Sequence, residues 1–260
     1  MIRPIAGLAT VLALLVPPRA ARADYHIFSP YEIDLGELEI EHNGDAVFDR
    51  RADQTGATSY TLELGTGLTS WWHSEIEFGW DRNPGYDQPT LLTQVVTENM
   101  FQLTEPGEDI FDTGFYFEYG QSLTHGANAM SNEATFGPAI GKQIGRTSNI
   151  INLFFTRQLG PDQTSHGLDF TYALQTKWNI WAPLSPAIEA YGNMGTLGSV
   201  PRFQQQDLLV GPVAIGLLRL SQLGLGRAGT LEYELGWLFG TTNASAHGTL
   251  RWRLEVEVPF

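Results

Sequence analysis

The last eleven residues, Leu250–Phe260 (L-R-W-R-L-E-V-E-V-P-F), alternate without a break. Apolar side chains stand at Leu250, Trp252, Leu254, Val256, Val258 and Phe260, with Arg251, Arg253, Glu255, Glu257 and Pro259 between them. Successive side chains of a strand point to opposite faces, so this stretch is a ribbon with one apolar and one charged side. Such a ribbon has two homes. It is the edge of a soluble sandwich with its apolar side to the core, or part of a wall with its apolar side to lipid.

The same period returns along the chain from Leu35, and a helical period almost nowhere. Leu38-Ile40-His42 alternate with Glu37-Glu39-Glu41, Tyr60-Leu62-Leu64 with Thr61-Glu63-Gly65, and Trp72 to Trp80 with His73-Glu75-Glu77-Gly79. A weaker run spans 92–103, and a clear one sets Phe115-Phe117-Tyr119 against Tyr116-Glu118. Further segments cover 134–144, 150–158, 168–178, 187–196, 208–218 and 231–239. With the closing stretch these make twelve, most about 10 residues long, the length of a tilted strand that crosses a bilayer. Connections after odd segments are mostly long and polar (49–56, 81–90, 122–131), whereas those after even ones are mostly tight (67–70, 145–148). That asymmetry, with an even strand number, predicts a closed antiparallel up-and-down transmembrane β-barrel with both termini on the short-turn side. Trp71, Trp72, Trp178 and Trp181 fall at the short-turn ends, with Trp80 and Phe239 at the other, as two interfacial girdles require. Pro138 and Pro212 interrupt two even segments and predict bulges, since a closed barrel offers no edge to hold them.

The first residues read as an export signal. Arg3 starts it, Ile5 to Val16 form its apolar core, and Ala21-Arg22-Ala23 is an A-x-A cleavage site. The apolar core is too short for a spanning helix. The expected organisation is a signal peptide over 1–23, a periplasmic segment over 24–34 and a barrel over 35–260. Loss of Arg3, Arg19 and Arg22 takes the formal charge from −14 to −17, the wrong sign for a nucleic-acid partner. There is no cysteine, so an exported chain of this size must rely on its core or on sheet closure.

If the apolar faces meet lipid, the other faces line the interior. Strands eleven, twelve, one, two and three then bring together Glu232, Glu234, Glu255, Glu257, Glu37, Glu39, Glu41, Glu63, Glu75 and Glu77, with Arg251 and Arg253 on the same wall. His73 adjoins that cluster; Glu118 and Glu189 face it with Lys177, Asn152, Tyr116 and Tyr191. Rings of carboxylates attract cations, which predicts a path for cations or polar solutes. Carboxylate–arginine ladders that brace and close a small barrel are the alternative. The alternation gives no sign of an apolar interior.

Catalytic and metal patterns are absent. The histidines are scattered, no hydroxyl–base spacing supports a nucleophile, and no cofactor or metal is expected. Asp45, Asp49, Asp53, Asp81 and Asp87 read as solvated acidic loops rather than calcium ligands. The H-x-S-N-G pattern of the twelve-stranded outer-membrane phospholipase is missing, since His73 directly precedes Ser74 and His125 leads into Gly126-Ala127-Asn128.

The mature opening Y-H-I-F-S-P-Y-E-I-D-L-G-E-L-E-I-E-H-N-G, the turn E-N-M-F-Q-L-T-E-P-G-E and the terminal Phe260 resemble the bacterial outer-membrane barrels grouped as transporters of phenol meta-cleavage degradation. The resemblance implies an outer-membrane location and a non-enzymatic channel or transporter for small solutes. The closing strand resembles the signal read by the barrel-assembly machinery, which puts Phe260 in that role, with outer-membrane lipid as the other partner. A closed barrel with working loops is the second expectation. No substrate-binding residue follows from the resemblance.

Overall fold

A computed structural model describes residues 26–31, 33, 35–86, 89–124, 129–225 and 228–260. The expected signal segment lies outside the described residues, as do Asp87, His125 and Asn128. Twelve strands follow in order: β1 Glu37–Phe48, β2 Thr58–Thr69, β3 Trp72–Arg82, β4 Leu91–Gln102, β5 Asp112–Ser122, β6 Asn132–Ile144, β7 Thr147–Leu159, β8 Asp169–Trp178, β9 Ser185–Thr196, β10 Asp207–Arg219, β11 Thr230–Gly240 and β12 Gly248–Pro259. Each pairs antiparallel with its sequence neighbour, and β12 pairs with β1, so the sheet closes on itself. Closure removes the unpaired edge that any open arrangement of these strands would leave.

The alternation decides which face looks out. Leu64, Ile76, Ile188, Leu235 and Leu254 are exposed, and Leu235 keeps 53% of its surface, whereas the charged residues between such positions are covered. A soluble sandwich would do the reverse. An apolar outer band around a closed barrel is the surface a bilayer accepts. Aromatic stacks mark its ends. Trp71, Trp72 and Phe101 stack beside the β2–β3 turn, with Trp72 and Phe101 centroids 5.8 Å apart. At the other rim Tyr60 lies on Trp80, and Trp237 packs against Phe48 and Phe239.

The bulges expected at Pro138 and Pro212 do not form. Phe136 pairs with Phe155 and Ala139 with Asn152; Val210 pairs with Phe239 and Val213 with Gly236. The register is the same on either side of each gap. A proline has no N–H to donate, and here the ladder skips two rungs without admitting an extra residue. Register shifts occur elsewhere, at Gly67/Thr69, Gly79/Trp80 and Phe170/Thr171.

The segment before β1, expected as a periplasmic leader, runs inside the barrel. Leu35 bridges Gly67 at the short-turn end. Residues 26–31 lie in the interior, where Pro30 packs against Gly114 and Gly141. The Phe28 N–H donates to Asn152 Oδ1, and Asn152 Nδ2 donates to the Phe28 carbonyl, both at 2.9 Å. The Phe28 ring lies 4.5 Å from Tyr116 and 5.9 Å from Phe154, and Ile27 is buried in the same cluster. A strand without neighbours cannot satisfy its own backbone, and Asn152 supplies both missing partners at residue 28.

Candidate functional site

The interior that holds this segment has two unlike sides. On one, β11, β12 and β1–β4 turn Glu234, Arg251, Glu255, Glu41, Asn43, Asp45, Thr61, Glu63, Glu77 and Glu98 inward, all buried. On the other, β6–β10 present Ala139, Ile150, Phe154, Ala173, Ala187, Leu209, Val213 and Ile215, equally buried, interspersed with uncharged polar groups such as Thr135, Asn152, Thr171 and Gln175 and with Glu189. The segment lies between them.

The polar side is a connected network. Arg251 is wholly buried, its Nε donates to Asp45 Oδ1 at 2.8 Å, and its second bond to Oδ2 makes the pair bidentate. Its guanidinium also stands 4.0 Å from the Tyr191 ring centroid, within cation–π range. Tyr191 Oη donates to Glu189 Oε2 and Gln175 Nε2 to Glu189 Oε1, each at 2.7 Å. This arm carries the polar network across onto the apolar side. One row lower, Arg253 pairs with both Glu41 and Glu255. Asn43 Nδ2 bridges Glu41 and Glu63, and Thr61 Oγ1 donates to Glu63 at 2.6 Å. Tyr116 Oη faces two carboxylates, Glu98 at 2.9 Å and Glu118 at 2.6 Å. Towards the short-turn end His73 Nε2 lies 2.7 Å from Glu75 and 3.3 Å from Glu39.

Among the residues expected inside, Glu41, Glu63, Glu77, Glu189, Glu234, Glu255 and Arg251 are buried. Glu37, Glu39, Glu75, Glu118, Glu232, Glu257 and Arg253 are half-buried. Phe260 is 84% exposed at the seam, where its N–H donates to the Gly36 carbonyl.

Three features depart from the expectations. Across the seam Glu39 pairs with Glu257 and Glu41 with Glu255, while Arg253 sits opposite Asn43 and Arg251 opposite Asp45. Asp45 is therefore a strand residue inside the wall and not part of a solvated loop, because β1 runs on to Phe48. Glu98 is a further inward carboxylate, which the weak alternation of β4 hides in the sequence. Lastly, β6–β10 carry apolar side chains into the interior among the polar ones, where the alternation gives no sign of them.

No family model matches the chain, and no curated protein matches it. Solved structures do. The COG4313 outer membrane channel from Pseudomonas putida F1 aligns with a TM-score of 0.58 at 10% identity, over 91% of this chain and 100% of that one. A bacterial polysaccharide outer membrane secretin aligns over 86% and 99% with a TM-score of 0.43 at 11% identity. At such identity the first likeness is one of fold: the twelve-stranded closed wall is that of an outer-membrane barrel.

Proposed function

We propose that this protein is a channel of the Gram-negative outer membrane that passes small solutes and favours cations, with residues 26–31 as its internal constriction. The observation that carries the reading is the seat of that segment. It lies between an acid–arginine side and an apolar side, and ring stacking and two hydrogen bonds at residue 28 hold it there. Inward carboxylates outnumber the arginines that neutralise them, so the path attracts positive charge. The apolar side admits the hydrocarbon part of the same solute. Small amphipathic cations fit both walls. The channel named in the solved relative from Pseudomonas putida F1 agrees with passage as the task of this fold.

Purified protein in planar bilayers tests this. The full chain is expected to show a small, cation-favouring conductance, and deletion of residues 24–31 to raise it several-fold. Changing Glu37, Glu39, Glu232 and Glu234 to glutamine is expected to move the reversal potential towards zero. A barrel that stays silent after the deletion is closed, and its work lies in its loops.

Phe260 is the proposed assembly signal. Its removal is expected to lower the heat-modifiable, assembled fraction in cells while refolding in detergent is unchanged. An unchanged yield in cells removes that role.

A further inference from the structure

We propose that Glu39, His73 and Glu75 form a binding site for one divalent transition-metal ion of the zinc class at the short-turn end of the barrel interior. Glu39 stands on β1 and the other two on β3. Between them β2 contributes Gly65, which pairs with Glu39 on one side and Glu75 on the other. A Cβ at residue 65 would lie 2.6 Å from Glu75 Cγ and 2.8 Å from both Glu75 Oε1 and His73 Nε2. The missing side chain opens a cradle, and the donor atoms gather over it, all within 4.8 Å of one another. Zinc bonds nitrogen and oxygen at about 2.0–2.2 Å, which sets neighbouring ligands roughly 3 Å apart. Nε2 is already 2.7 Å from Glu75 and 3.3 Å from Glu39.

The histidine separates this cluster from an ordinary acidic patch. His73 is 7% exposed, and its Nδ1 is buried with no hydrogen-bond partner. The polar contacts of the ring are made by Nε2 alone, aimed between two carboxylate oxygens. Three lone-pair donors directed at one point repel unless an electrophile sits among them. A proton on Nε2 serves the nearer oxygen well and the farther one poorly, whereas a divalent ion serves all three. Glu39 also belongs to a second trio with Glu255 and Glu257, reached across the closure of the barrel. Imidazole with carboxylates suits zinc, nickel or manganese; calcium and magnesium favour oxygen alone. An ion here ties β1 to β3 across the glycine gap. The site does not depend on solute passage, so a silent barrel would leave it standing.

The test uses the full chain folded in detergent, stripped with EDTA and titrated with zinc by calorimetry, with bound metal counted after dialysis. One ion per barrel is expected, together with a higher temperature for loss of the heat-modifiable band. His73→Gln and Glu39→Gln are each expected to weaken binding by at least about tenfold. Gly65→Ala, which keeps every ligand but fills the cradle, is expected to weaken it too. Glu105→Gln, in the exposed β4–β5 turn, is expected to bind as the parent does. Heat-modifiable migration shows that each variant is folded. If folded His73→Gln binds zinc like the parent, the ion sits adventitiously on acidic groups and the proposal falls. It falls equally if the folded parent retains no zinc, which leaves a proton as the occupant.

Discussion

The two sides of the interior are buried to the same degree, yet different forces dominate in them. Across the seam of β12 and β1, cohesion comes from charge-assisted hydrogen bonds, Arg251 to Asp45 and Arg253 to Glu41. On β6–β10 apolar packing joins hydrogen bonds between mostly uncharged groups, such as those of Gln175 and Tyr191 to Glu189. Ala139, Ala173 and Ala187 are small and almost wholly covered, which leaves width for the segment that brings Ile27 and Phe28 into the same cluster. A charged network must be satisfied group by group, because each orphaned charge is costly. An apolar surface tolerates exchange of whatever leans on it. The charged side therefore serves as the fixed part of the wall, and the apolar side as the seat from which something can leave.

The sharpest way to break this contrast is at Arg251. Arg251→Met leaves the Asp45 carboxylate buried without its partner, and loss of one member of a buried pair costs about 3–5 kcal/mol. Urea unfolding in detergent is expected to show that loss. Arg251→Met combined with Asp45→Leu is expected to recover most of it, since no charge is then stranded. A harmless single variant would mean that the fixed side is not fixed by this pair. The opposite wall answers differently. Phe28→Ala removes a ring packed on Tyr116 and Phe154, a change of about 3–5 kcal/mol in a core. Here that energy docks the segment and does not hold the barrel. Urea stability is expected to change little, whereas protease cleavage near residue 28 and conductance both rise. Asn152→Ala removes both hydrogen bonds to residue 28 and is expected to act in the same direction, by about 1–2 kcal/mol. Equal losses of barrel stability in these variants and in Arg251→Met would erase the distinction.

The contrast also separates what the sequence reveals from what it conceals. All twelve strands are legible because period 2 is a local property, visible wherever one face is apolar and the other is not. The upper half of β1 was missed for a local reason. Gly44 faces outward where an apolar residue is expected, and the ring of Trp252 on β12 covers it from across the seam. The apolar surface is present but belongs to another strand, so the alternation in the sequence stops at His42 and Asp45 reads as loop. The apolar interior was hidden in the same way. Runs such as Val213-Ala214-Ile215 are apolar on both faces, and the period fades where the inner wall is greasy. The seat of the N-terminal segment had no local signal at all. Tyr25 to Tyr31 carry no period, and the partner of Phe28 lies 124 residues away. The trio at Gly65 is equally non-local, because His73 has no metal-like neighbour in sequence and meets Glu39 only through the register of three strands.

The smallest expected effect lies outside the wall, where the loop after β1 meets the loop before β12 above the charged side. Asp49 accepts two hydrogen bonds from the Arg51 side chain, at 2.8 and 2.9 Å, and one from the His247 N–H at 3.0 Å. Arg51 reaches on to the carbonyls of Ala244 and Ser245. These bonds, the Arg51 side chain first, hold the Asp49 carboxyl well below the usual carboxylate range, and the pair raises the Arg51 guanidinium in turn. A lowered folded-state value contributes stability that is complete above the unfolded value, about 4, and is lost as pH falls towards the folded one. The Arg51 side chain is 38% exposed, so water screens the pair and the contribution is small. Amide exchange over residues 49–57 is expected to be flat from neutral pH down to about 5 and to quicken below about 4 once corrected for intrinsic rates. Asp49→Asn is expected to show faster exchange throughout and no acid step. Quickening already near neutral pH, or an acid step that survives in Asp49→Asn, would assign the opening to another group, and the clasp over the charged side would not be Asp49.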